Sequence, residues 1–127
     1  MSLLPEEARE RLAELERNLE EINQEWAEAE KRLIVRKARK DIVYAIAFKQ
    51  VTDNSKMSAV KAQQEVYFID VDWRDELSTY AQEVEICADL EAIVIAKKRK
   101  AHAASERIDA LRSILSRDKE LVNKGIL

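Results

Sequence analysis

Between Ala8 and Leu33 the apolar residues Ala8, Leu12, Leu15, Leu19, Ile22, Trp26, Ala29 and Leu33 recur in alternating steps of four and three. That is the a/d heptad of a helix that must bury a narrow stripe against other helices. One Gly and one Pro in 127 residues leave few turns, and a 37% charged chain rich in Ala, Glu, Lys, Arg and Leu has the composition of long helices. The fold class expected is all-α. The architecture is a long antiparallel helical hairpin with a short middle helix and a coiled-coil-like N-terminal arm. A single helical domain over 1–127 is expected, its parts a heptad arm at 1–33, a helical body at 34–122 and a frayed tail at 123–127.

Taken in order, Ser2 can cap the first helix, with Pro5 tolerated in the first turn and Glu6, Glu7 and Glu10 favoured by the helix dipole. Nothing stops that helix for about 45 residues, roughly 70 Å. Past Leu33 the stripe continues through Ile34, Ala38, Ile42, Ala45 and Ile46 and widens with Val35, Val43, Tyr44, Ala47 and Phe48, as a body with several neighbours requires. Thr52 to Ser58 (TDNSKMS) is the one dense cluster of turn and capping residues, so the main turn is placed there, with Ser55 or Ser58 capping a second helix through Val66 and Tyr67. The alternation in Val66 to Trp73 also suits a strand, but no partner strand is evident. The expectation is therefore helix with a break near Asp70 to Asp75. A third helix follows from about Asp75 to Val122, with Leu77, Tyr80, Ala81, Val84, Cys87, Ala88, Glu91 and Ile95 and then Ala101, Ala104, Ile108, Leu111, Leu115 and Leu121 on its apolar face. Gly125 sits where a C-terminal cap belongs.

Charge runs in blocks. Residues 6–30 carry ten Glu against three Arg, net −7; residues 31–50 carry seven cations against Asp41, net +6. Residues 65–91 carry nine acids against Arg74, net −8, and 92–127 nine cations against four acids, net +5. Folding back at the turn near Asn54 sets basic 31–50 beside acidic 65–91, and the acidic arm beside the basic C-terminal helix. Such flanking charges set orientation more than they add stability. The same matching can be met between chains, so Leu12, Leu15, Leu19, Ile22, Trp26 and Leu33 are read as a seam for helix pairing or for a homo-oligomer.

Few residues suggest chemistry. The clusters at 31–40 and 97–100 offer Arg36, Arg39, Lys40, Lys97, Lys98, Arg99 and Lys100 as phosphate contacts for single-stranded DNA, against the plainer reading of solvated faces paired with Glu and Asp. The aromatic residues fit core packing better than base stacking, Trp73 being the most ambiguous. His102 stands alone, which is too little for zinc. Asp70, Asp72, Asp75 and Glu76 lack the glycine turn of a calcium loop. Glu25 with Glu28 and Glu106 with Asp109 have the internal spacing of helical pyrophosphatases, as chance allows in Glu-rich helices. With no glycine-rich phosphate loop and Cys87 lacking a histidine nearby, no catalytic residues, metal or cofactor are assigned and no small-molecule substrate is expected. Cys87 is the single cysteine, and the apolar runs at 42–48 and 92–96 are too short for a bilayer. The expectation is a soluble, cytoplasmic protein that does not enter membranes.

Across 37–120, Lys40 with Tyr44 and Ala47, a turn ending in Ser58, Ala62 and Glu65, and Arg112-Ser113 with Ser116 resemble small helical proteins of tailed-phage replication and recombination regions. Those proteins are similar in character to the phage recombination mediators, to which the acidic heptad arm here is an addition. The resemblance implies an oligomeric, non-enzymatic accessory protein of DNA recombination in the host cytoplasm, binding single-stranded DNA and a recombinase-type protein partner. The alternatives are a protein-interaction module, such as a phage inhibitor of a host nuclease or polymerase, and a structural helical scaffold.

Overall fold

A computed structural model of the chain describes residues 5–54 and 58–123. It is mostly helical: α1 spans Pro5–Asn54, α2 Ala59–Val66 and α3 Tyr80–Asn123, with β1 at Val71–Trp73 and β2 at Glu76–Ser78 between α2 and α3. The long first and last helices and the short middle one are those the sequence predicts. Ser2, Ser55 and Gly125, expected as caps, lie outside the described residues.

Two compact units divide the chain, one built from residues 1–28 and 95–127, the other from 29–94. In the first unit the two helical segments run antiparallel, since Glu16 pairs with Arg112 and Glu25 with Lys97. Ala8 and Leu15 are buried and Leu12, Leu19, Ile22 and Trp26 half-buried, while the residues between them are exposed. From α3, Ala101 and Ile108 are buried and Ala104, Leu111 and Leu115 half-buried at the same heptad spacing. The Trp26 ring stands edge-on to His102, 6.2 Å between centroids.

The second unit holds the principal core: Val43, Ala47 and Val51 of α1, Ala62 and Val66 of α2, and Val71 of β1, with Tyr44, Ile46, Phe48, Ile69, Trp73 and Tyr80 packed around them. Eight residues are too few for a helix to persist alone. Ser58 caps α2 by accepting from the Lys61 amide, and Ala62 and Val66, one turn apart, anchor it to α1. The apolar face of α1 does not shift onto Ile34, Ala38 and Ala45, which are exposed. The heptad continues from Leu33 through Arg36 and Lys40 to Val43 and Ala47. On α3 the inward residues are Glu83, Cys87, Leu90 and Val94, and the expected Val84, Ala88, Glu91 and Ile95 face outward. In both helices two apolar stripes compete for the inside, and the one interrupted by Arg36 and by Glu83 is turned inward, where those two charges pair.

The segment 66–73 is also corrected. Helix stops at Val66, and Val71–Trp73 pairs antiparallel with Glu76–Ser78 in the register Val71 to Ser78, Asp72 to Leu77 and Trp73 to Glu76. The strand has a partner after all, two residues away. Arg74 and Asp75 link them at φ 53° and 62°, the left-handed pair of a two-residue hairpin turn that Asn-Gly normally fills. The third helix accordingly starts later than expected. Thr79 caps it reciprocally: its Oγ1 accepts from the Gln82 amide at 3.1 Å, and Gln82 Oε1 accepts from the Thr79 amide at 2.9 Å.

Candidate functional site

The most elaborate side-chain cluster lies in unit 29–94, where α1 meets the hairpin and the first turns of α3. Glu83 reaches it because the capped start of α3 sets position 83 on the inward heptad stripe, and its side chain is completely buried. Its carboxylate accepts from Arg36 Nε at 2.6 Å, Arg36 Nη2 at 2.7 Å, Arg39 Nε at 2.8 Å and Ser78 Oγ at 2.8 Å. Arg39, 6% exposed, also donates from Nη1 to the Trp73 carbonyl and from Nη2 to the Glu76 carbonyl and Ser78 Oγ. Those two carbonyls flank the Arg74-Asp75 turn, so one guanidinium grips the hairpin on both sides. Arg36 completes the group with a forked pair to Glu76 at 2.9 and 3.3 Å. The Arg39 and Arg74 guanidinium groups both lie over the Trp73 ring, at 5.5 and 4.5 Å from its centroid.

Electrostatics keeps this cluster ionised. Burial pushes the Glu83 carboxyl up, but the donors of Arg39, Ser78 and Arg36 outweigh it and hold it below its ordinary value. Glu76 is lowered by its hydrogen bonds from Arg36. Burial opposes the charge on Arg36, yet the hydrogen bonds from Glu76 and Glu83 raise its pKa. Two cations and two anions thus balance. Ser78 donates to a carboxylate, as a nucleophile donates to its base, but that carboxylate is committed to two arginines and the hydroxyl is buried. Proton abstraction is not what this arrangement favours. It clasps a six-residue, two-stranded ribbon that would be marginal by itself.

The sequence-assigned phosphate contacts separate into groups. Arg36 and Arg39 turn inward to the clasp, where their donors meet Glu83, Glu76, Ser78 and Trp73. Lys97 bonds Glu25 at 2.8 Å, which draws the Glu25 carboxyl down through that hydrogen bond. Lys40 is half-buried, and burial pushes up the thiol of Cys87, whose titration Lys40 also influences. Lys98, Arg99 and Lys100 are exposed, with no ion pair among the described residues. Of the seam, Leu12, Leu15, Leu19, Ile22 and Trp26 serve unit one and Leu33 is buried in unit two, all within the chain. Trp26 Nε1 is buried without a hydrogen-bond partner among the described residues.

Reading by sequence missed Ser78, Glu76 and Glu83 as members of one cluster and missed the exposed apolar residues near it. Phe68 is 78% and Leu77 65% exposed, and Val60 and Tyr67 are also open. Tyr67 packs edge-on to Tyr80, and Tyr80 to Tyr44, so the aromatic side chains form a ladder leading inward from this surface. Among the described residues no three His, Cys, Asp or Glu side chains are grouped to hold a metal ion, and no helix is long and apolar enough to cross a membrane. Against protein-family models, curated proteins and solved structures, the chain finds no match.

Proposed function

We propose that the protein is a non-enzymatic helical interaction module whose unit 29–94 docks a protein segment that is both apolar and basic. The carrying observation is the exposure of Phe68 and Leu77 in a stretch where Glu65, Asp70, Asp72 and Asp75 are exposed as well. Apolar side chains of this size left open beside one sign of charge suit a partner with the opposite charge. The clasp supports the reading by fixing the strand that carries Leu77, because a docking residue is effective only when its backbone is held. A photo-reactive residue at position 68, used in cells that make the protein, is expected to give a discrete protein adduct that Leu77→Glu removes. Adducts that are diffuse, or indifferent to Leu77→Glu, contradict it.

The second reading, an accessory role in phage-type DNA recombination, draws support from Lys98, Arg99 and Lys100, which are exposed and form no ion pair among the described residues. Three cations supply a limited footprint, so affinity for single-stranded DNA falls with salt at a log–log slope of only about −2. Titration of oligonucleotide against salt tests it. Binding lost in Lys98→Ala/Lys100→Ala favours this second reading, and absence of binding at low salt removes it.

A further inference from the structure

In the unit built from 1–28 and 95–127, α3 turns one stripe toward α1 and leaves another uncovered. Ile95, Arg99, Ala103, Glu106, Ala110 and Ile114 follow in steps of four, four, three, four and four, and all six are exposed. Such steps, the 11-residue repeat, keep side chains within one band about 100° wide along a helix. Ile95 and Ile114, 44% and 52% exposed, stand at opposite ends and edges of the band, and the alanines between them let a second helix approach closely. Single exposed isoleucines are ordinary on a protein surface. What distinguishes this stripe is its two charges. Arg99 and Glu106 have no ion-pair or hydrogen-bond partner among the described residues.

The placement of the two charges is self-complementary. Arg99 and Glu106 are equidistant along the helix from the peptide joining His102 and Ala103, and so are Ile95 and Ala110. Two copies of the helix laid antiparallel about a two-fold axis at that peptide bring each Arg99 to the other copy's Glu106 and each Ile95 to an alanine. A parallel arrangement sets Arg99 against Arg99 and Glu106 against Glu106, which like-charge repulsion opposes. Of the neighbouring cations, Lys98 lies on the flank of the band, and Lys100 and Arg107 line a cleft of about 280 Å³ with Glu21 and Glu25 of the same chain. Arg112 is bonded to Glu16.

We infer that this stripe is the docking face for a second copy of the chain, α3 on α3 in antiparallel, with reciprocal Arg99–Glu106 pairs across an isologous interface. The inference is independent of the partner proposed for residues 29–94. Sedimentation equilibrium of the full chain from about 1 to 100 µM tests it. The wild type is expected to approach twice its 14.7 kDa. Arg99→Glu and Glu106→Arg each weaken the dimer by at least about tenfold, and the double reversal restores it. All these positions are exposed, so unchanged far-UV circular dichroism verifies folding. A monomer throughout overturns the inference and leaves the face to an unrelated protein. A dimer indifferent to the single reversals, or one that the double reversal fails to restore, overturns it equally.

Discussion

Arg36 with Glu83 and Arg112 with Glu16 are the same chemical pair at nearly the same distance, 2.6 and 2.8 Å, in opposite surroundings. The first joins a one-fifth exposed guanidinium to a fully buried carboxylate, and a second arginine and a serine complete the carboxylate's hydrogen bonding. The second bridges two helices in water, each side chain about half exposed. A buried ion of this kind holds together only when every partner is present, because a survivor is left charged and desolvated. A solvated pair can lose a member to water with little consequence. Unit 29–94 is therefore specified by polar geometry around a small core, and the arm by an apolar seam on which charges choose orientation.

The largest expected break in that contrast is Glu83→Ala, which strands Arg36 and Arg39 and costs about 3–5 kcal/mol in urea unfolding. Acid probes the same carboxylate. Its folded pKa is lowered, so its contribution is complete above the ordinary glutamate value of about 4.3 and disappears as pH falls through the folded value. Stability measured by denaturant titration drops on acidification in the wild type, and this dependence is shallower in Glu83→Gln.

A smaller change of opposite sign comes from the hairpin tip. Replacing Arg74-Asp75 by Asn-Gly relieves two side chains held at positive φ and raises stability by about 1 kcal/mol. Loss of stability instead indicates that the contact of Arg74 with Trp73 outweighs the backbone strain. Smallest of all is Glu16→Gln in the arm, at under about 1 kcal/mol and vanishing in high salt. A cost for Glu16→Gln comparable to that of Glu83→Ala erases the distinction between the two regions.

How far the sequence foretells this arrangement follows from the same contrast. Ala8 to Leu33 announces itself because a heptad needs only residue types at regular intervals, and Ser58 because a cap is local. The charge blocks rightly set 31–50 beside 65–91, yet sign alone cannot say that Arg39 points at two carbonyls or that Glu83 enters the core. A glutamate in heptad phase with Tyr80, Cys87 and Leu90 was the available signal. The hairpin escaped notice because three-residue strands carry almost no periodicity and Arg-Asp stands where Asn-Gly is expected. Thr79 and Gln82, spaced as a capping box, mark the true start of α3. The bonds that tie Ser78 and Glu76 to the two arginines span 37 to 40 residues of sequence and have no local signature.

Amide hydrogen exchange in the wild type and in Arg39→Met bears most directly on the claim that a buried ionic clasp holds the hairpin. Loss of Arg39 removes the grip on the Trp73 and Glu76 carbonyls and half of the cationic partnership of Glu83. Amides across 71–78 and the Ala81 amide, which bonds the Tyr67 carbonyl, are expected to lose protection, while the heptad residues 8–26 keep theirs. Hairpin amides that remain as protected in Arg39→Met as in the wild type would contradict it.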